Sequence, residues 1–290
     1  QRQVTDYFRP DSDGNILVYG AGGSGKSTAL RSLAIASSIT PRGGPVHVYA
    51  VDFGGGALSA LQVLPTVGSV ILGDDQERVT RLIRQLTQLV DQRQVAYSGV
   101  RASTLTEYRQ VARAPQEPRI LLLLDGFSAF RAEYENAAEL DASYLAFQRL
   151  LLDGRGVGVH IAMTADRPAA VPAALTSAFP RRIVLRQSDE DAYAALGVPK
   201  DVLGPASPPG RAVQGDNPQE LQLAILGGNG NTAAQARVIE ELAPTVAKHL
   251  RERPAPITAL PVRVDPVGLP NSVAGSPVLG IADRTLEVMG

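Results

Sequence analysis

The chain has 290 residues, 44% of them hydrophobic and 20% charged, a composition of ordinary globular proteins rather than disordered or fibrous ones. Lys and Arg (28) nearly balance Asp and Glu (29), and the formal charge of -1 argues against a strongly basic nucleic-acid module. With no cysteine and three histidines, a disulfide framework, a thiolate metal site and a Cys nucleophile are excluded, and a His-rich metal centre is disfavoured.

No apolar run reaches the length that spans a bilayer, and no signal-peptide pattern is visible. The sequence opens on Gln1 rather than Met, as expected of a piece of a longer polypeptide. Asn15–Tyr19 (NILVY) is a short apolar strand that runs into glycine-rich sequence, and a helical pattern follows over Ser27–Ser37. Val46–Asp52 is a second strand, closed by "FGGG", and Ser69–Leu72 a third. From Asp75 to Tyr97 apolar residues recur at helical spacing, predicting a long amphipathic helix with a basic outer face and Asp74 or Asp75 as its cap. Ile120–Asp125 reads as a fully buried strand, Leu140–Leu152 as a helix, and Val157–Thr164 and Arg182–Leu185 as further strands. Strands alternating with helices imply right-handed crossovers and a mostly parallel sheet.

Beyond Leu196 the texture changes. Gly204–Gly215 is rich in Pro and Gly, Leu221–Leu226 reads as an edge strand, and Thr232–Arg253 as a helix. The proline-rich run after Arg253 fits neither a helix nor a central strand. It reads as an extended connector offering Ile257, Leu260, Val262, Val264 and Leu269 as apolar anchors, followed by the opening strands of a further unit. The expected division is residues 1–253 as one domain and 254–290 as linker and start of the next.

The chemistry concentrates in "GAGGSGKST". Gly20, Gly25, Lys26 and Ser27 occupy the fixed positions of G-x-x-x-x-G-K-[ST], with a strand before and a helix after. Glycine lets the backbone of Gly20, Gly22, Gly23, Ser24 and Gly25 wrap closely around phosphate, and the following helix, carrying Lys26, Ser27 and Thr28, adds its positive end. Lys26 is expected on the β and γ phosphates of ATP and Ser27 on Mg²⁺. Asp125, delivered by the LLLLD strand, is the expected partner of that Mg²⁺. Val46–Asp52 lies between the two motifs in sequence, as in those P-loop folds where an extra strand separates them in space. In that branch the residue after this Asp is a water-activating acid; here it is Gly126. Glu133, Glu135 and Asp153 follow, with no spacing that aims them at a phosphate. Losing a general base typically removes about 10²–10⁴-fold of rate. Thr164 ends its strand beside the Asp125 strand, where its hydroxyl could sense a γ-phosphate, and Arg167 could reach phosphate from the same edge. Asp52 is read as a cap on the FGGG loop, and His160 as a packed core histidine.

The ordered stretches "VYGAGGSGKSTALRSL", "ILLLLDGFSAF" and "GRGVGVHIAMTADRP" resemble the FtsK/SpoIIIE family of RecA-like motor ATPases. "LPVRVDPVGLP…SPVLGIADRTLEV" is similar to the linker between tandem modules of the EccC-type ATPase of type VII secretion. The resemblance implies a RecA-like P-loop three-layer sandwich and a membrane-anchored, multi-module ATPase on the cytoplasmic side of the cell membrane. It implies neighbouring ATPase modules and small helical-hairpin export substrates as partners, a hexamer in the full assembly, and an arginine supplied in trans, for which Arg131, Arg149 and Arg155 are candidates. Later modules of that subfamily are often degenerate, and Gly126 together with the outgoing linker suggests a middle module that binds ATP and Mg²⁺ with weak or no hydrolysis. The alternatives are an active DNA-translocating motor, disfavoured by the neutral charge, and a protein-interaction module with a vestigial nucleotide site.

Overall fold

The computed structural model describes residues 5–39, 44–215, 217–261, 263–265, 269–270, 272–273, 276–278, 280–281 and 288–289. They fall into two compact units, Gln1–Pro256 and Ile257–Gly290. In the first, a short helix α1 (Pro10–Asp13) precedes β1 (Ile16–Tyr19), α2 (Lys26–Ile39), β2 (Val46–Asp52), β3 (Val67–Leu72), α3 (Gln76–Gly99) and α4 (Leu105–Val111). Next come β4 (Arg119–Asp125), α5 (Phe127–Tyr134), α6 (Asp141–Asp153), β5 (Val159–Ala165), α7 (Ala173–Thr176), β6 (Arg181–Leu185) and α8 (Glu190–Ala195). The unit closes with β7 (Arg211–Gln214), β8 (Asn217–Gln222) and α9 (Thr232–His249). In the second unit Ser272–Val273 pairs antiparallel with Ser276–Pro277, and Gly280–Ile281 with Val288–Met289. Val262, one of the anchors read from the linker, lies outside the described residues.

The strands of the first unit form one sheet in the order β3-β2-β4-β5-β1-β6-β7-β8, parallel except for the antiparallel β6-β7-β8 edge. The strand that separates the phosphate motif from the Asp125 strand in space is β5, which pairs with both β1 and β4; β2 lies beyond β4. Both faces of the central strands are buried, which is why β4 reads RILLLLD without alternation. On one face Val48, Ala50, Leu121 and Leu123 join Leu30, Ala34 and Ile35 of α2 and Ile239 of α9 in one core cluster. On the other, α3 packs against α6, and the aromatic rings of Phe127, Phe130, Tyr134, Tyr144 and Phe147 cluster in stacked, tilted and edge-to-face contacts. These layers make the RecA-like sandwich expected from the sequence.

Element ends differ from the sequence reading where local chemistry decides. Asp75 caps α3, accepting from the Arg78 amide. The face of α3 is less uniformly basic than its spacing predicts: Arg81 and Arg93 are buried, and Arg93 donates to the carbonyls of Val157 (3.0 Å) and Pro118 (2.6 Å). A long stem on apolar surface with the head on carbonyls lets an arginine sit inside a helix packing edge. The edge strand runs over Asn217–Gln222 rather than Leu221–Leu226, because its pairing with β7 starts at Asn217 opposite Gln214 and reaches Gln222 opposite Arg211. α9 stops at His249, four residues early, with the Leu250 backbone already extended. Residues 252–255 then pass over β2 and β3, where the Tyr49 hydroxyl donates to the Ala255 carbonyl at 3.0 Å and Pro254 is buried.

His160 on β5 is fully buried, as a core histidine should be. Its Nδ1 faces the Gly14 carbonyl at 3.2 Å and its Nε2 lies 2.7 Å from Arg119, which also binds Asp11 at 2.6 Å. Burial, helped by the Arg119 charge, pushes its pKa down to about 3. The unfolded chain protonates this ring near its ordinary value of about 6.5 and the native state does not, so stability falls as pH drops through that window. Acidifying from pH 6.5 to 4.5 is expected to remove roughly 2–3 kcal/mol through this residue. Urea melts across that range check it: His160→Gln should flatten the slope, and an unchanged slope would assign the acid sensitivity elsewhere.

Candidate functional site

The carboxyl ends of β1, β5 and β4 meet along one edge of the sheet, where open parallel sheets place their ligands. The phosphate-motif loop leaves β1 there and is fastened on both sides. The Gly20 amide donates to the Ala165 carbonyl of β5 (3.1 Å), and the Ala21 amide to the Arg186 carbonyl just past β6 (2.8 Å). Gly22 and Gly23 form an exposed crown, while Ser24 is buried beneath Gly20. Gly25 has φ +111°, and a Cβ there would come within 3.0 Å of the Gly210 amide nitrogen, so glycine is required twice over. That amide donates to the Ser24 carbonyl at 2.8 Å, which seats the Pro-Gly turn 208–210 against the loop. The helix α2 begins at Lys26 and presents the unpaired amides of its first turn to the crown.

Lys26 Nζ donates to the carbonyls of Gly20 (2.6 Å) and Ala21 (3.0 Å) and pairs with Asp166 at 3.0 Å. Thr28 accepts from the Arg31 guanidinium at 3.0 Å. Asp125, at the end of β4, is buried; its Oδ1 accepts from the Thr164 hydroxyl at 2.6 Å, and Thr164 Oγ in turn accepts from the Gly126 amide at 2.8 Å. Burial raises the Asp125 pKa above the ordinary carboxylate value, against the Ser27 and Thr164 hydroxyls, which favour the charge. Asp125 Oδ2 is buried without a hydrogen-bond partner among the described residues. An orphaned carboxylate oxygen beside Ser27 suits a hard cation that takes oxygen ligands, so the residues present fit Mg²⁺.

Lys26, Ser27 and Thr164 are therefore brought together around Asp125. Asp52 stands beside Asp125, its register partner on β2, and the helix acids lie elsewhere. Asp52 caps the glycine loop, accepting from the amides of Gly54 (2.8 Å) and Leu58 (2.7 Å). Glu133 binds Gln76, Glu135 pairs with Arg131, and Asp153 with Arg149, all on helices of the α3/α5/α6 face. Arg131, Arg149 and Arg155 each hold partners within the chain, and Arg167 is exposed.

Three features were missed in the sequence. Asp166 follows Thr164 by two residues, and that period alone places it on the same side of the strand end. Arg31 is buried behind the site, with Nη1 on the Ala57 carbonyl at 2.8 Å; burial lowers its pKa while the charges of Asp125 and Asp52 oppose the loss. An arginine on the inward face of an otherwise apolar helix was the available signal. The third is the backbone at Gly126, which has φ +85°. A Cβ there would lie 3.1 Å from Phe53 Cβ and 3.2 Å from its carbonyl carbon, while the Phe53 ring crowds Gly73. The FGGG loop thus leans on the position where an acid would stand.

The family model for the FtsK/SpoIIIE family matches residues 2–201. The chain belongs to the FtsK/SpoIIIE family. Within it, the ESX-4 secretion system protein EccC4 of Mycobacterium tuberculosis is 32% identical over 255 residues, 87% of this chain and 19% of that protein. The structure of EssC (ATPases 2 and 3) from Geobacillus thermodenitrificans has the same fold, with a TM-score of 0.81 at 23% identity, over 98% of this chain and 55% of that one. Thermomonospora curvata EccC (ATPases 2 and 3), solved in complex with a signal sequence peptide, superposes with a TM-score of 0.75 at 25% identity, over all of this chain and 53% of that one. The chain therefore spans about a fifth of the first relative and about half of each of these structures.

The Gly126 backbone yields a prediction. Left-handed strain of about 1–3 kcal/mol plus the Phe53 contact is set by any Cβ, so Gly126→Ala and Gly126→Glu should both lower Tm by roughly 3–10 °C. Calorimetry of both variants checks it; unchanged Tm in the alanine variant would mean that the loop yields freely.

Proposed function

We propose that the chain is one ATP-binding module of a multi-domain secretion ATPase of the EccC type, and that it holds ATP and Mg²⁺ with weak or no hydrolysis. The observation that carries the reading is the pairing of a complete phosphate loop with a glycine after Asp125. Ser27, Thr164 and Lys26 all act on Asp125, whereas position 126 has neither a carboxylate nor a backbone that readily accepts one. Ser27 and Asp125 would hold Mg²⁺, which would neutralise charge on the bound phosphates.

In this reading the loop amides and the amino end of α2 bind the phosphates, and Lys26 adds a positive charge. Thr164 fixes the Asp125 rotamer by donating to Oδ1, leaving Oδ2 for the metal side. A nucleotide held without turnover stabilises the module and its contacts, so its role is to regulate or couple neighbouring ATPase modules during export. The names of the relatives support the secretion setting, and the signal peptide bound by the Thermomonospora curvata protein supports export substrates as partners. Among the described residues no helix is long and apolar enough to cross a membrane, so membrane anchoring on the cytoplasmic side belongs, in this proposal, to other parts of the assembly. The expected assembly is a hexamer. The boundary near residue 253 and the linker role of 254–290 are part of the same proposal.

Calorimetric titration with ATP tests it. Mg²⁺-dependent binding is expected for the natural chain, and a loss of at least about tenfold in Lys26→Ala, since an ion-paired phosphate contact is worth about 1.5–3 kcal/mol. Equal affinity in the two proteins would favour a vestigial nucleotide site.

A further inference from the structure

The Lys26–Asp166 pair is not explained by binding alone. An ammonium has three N–H donors, and those of Lys26 go to Gly20 O, Ala21 O and Asp166 Oδ1. Two of these partners are carbonyls of the phosphate loop itself. The third is a side chain on a different element, 62% exposed, immediately past the end of β5. Because β5 lies between β1 and β4, Asp166 emerges between the phosphate loop and Asp125, on the strand whose Thr164 already binds Asp125. The pair is therefore half built: Lys26 is 13% exposed and held by the loop, while the carboxylate is held by Lys26.

We infer that Asp166 is a specificity-determining residue, a counter-ion that the terminal phosphate of a nucleoside triphosphate must displace from Lys26. The inference rests on the nucleotide-binding reading above. The lysine of this motif reaches the β and γ phosphates, and the loop amides cradle the phosphates nearer the base. A nucleoside diphosphate offers the ammonium its β phosphate alone, which can take the place of a loop carbonyl and leave the Asp166 contact kept. A triphosphate brings its last, most highly charged group towards the same ammonium, and two anions cannot share that one donor. Asp166 thereby weakens the triphosphate selectively.

The test is calorimetric titration of the full chain with Mg²⁺ and either ADP or a non-hydrolysable ATP analogue, for the natural protein, Asp166→Asn and Asp166→Ala. Native Tm in both variants, expected for an exposed loop residue, establishes that each is folded. The triphosphate analogue should bind about two- to fivefold tighter in both variants, the range of a partly exposed ion pair, with a smaller change for ADP. Equal tightening for both nucleotides would overturn the inference, because Asp166 would then act only through its general field. Weaker triphosphate binding would overturn it too. If the natural chain and both variants bind neither nucleotide, the nucleotide-binding reading falls and the inference with it; binding by all three with an unmoved triphosphate-to-diphosphate ratio sinks the inference alone.

Discussion

The hydrogen-bonded chain from the Gly126 amide through the Thr164 hydroxyl to Asp125 fixes the geometry on which the rest of the site depends. It ties β4 to β5 at their carboxyl ends, in a place with no exposed surface on Thr164. Since β5 also pairs with β1, the same strand sets the distance between Asp125 and the phosphate loop. The loop's own fastening to Ala165 and Arg186 completes the edge. A buried carboxylate is costly unless it is hydrogen-bonded, and here one oxygen is satisfied while the other has no hydrogen-bond partner among the described residues. Such an asymmetry suits a site built to take a cation.

That constraint also explains why glycine stands after Asp125 without disturbing the core. The Gly126 amide must turn towards Thr164, and the chain must enter α5 at once; left-handed backbone at the helix cap does both. Phe53, at the end of β2, fills the adjoining space and meets Phe130 and Tyr134 edge to face. The missing acid is thus part of a packed arrangement involving β2, β4 and α5. Restoring a glutamate would require the Phe53 loop to move, so a single substitution is a poor route to an active motor.

Much of the fold was legible because both-faces-buried strands and a long amphipathic helix leave strong patterns. Val46–Asp52 was bounded correctly from its apolar run, and β4 to within one residue. Less legible were elements whose ends depend on distant partners. α5 and the short α4 carry too few turns for a periodicity, and β8 is set by its pairing with β7 rather than by its own apolar residues. At the site, the phosphate loop and Asp125 were readable because their chemistry needs fixed spacing. Asp166 and Arg31 were not, because the groups that hold them, Lys26 and the Ala57 carbonyl, are distant in sequence. Arg93 on α3 was missed for the same reason: its charge reads as surface until the Val157 and Pro118 carbonyls and the Glu117 carboxylate that hold it are known.

The central claim is that this module holds ATP rather than consuming it. The most direct measurement is the identity of the nucleotide recovered from the chain after prolonged incubation with Mg²⁺ and ATP, followed by removal of free nucleotide and quenching. The account predicts that ATP is recovered near one equivalent. Recovery of ADP, with free phosphate released in a Lys26-dependent manner, would contradict it.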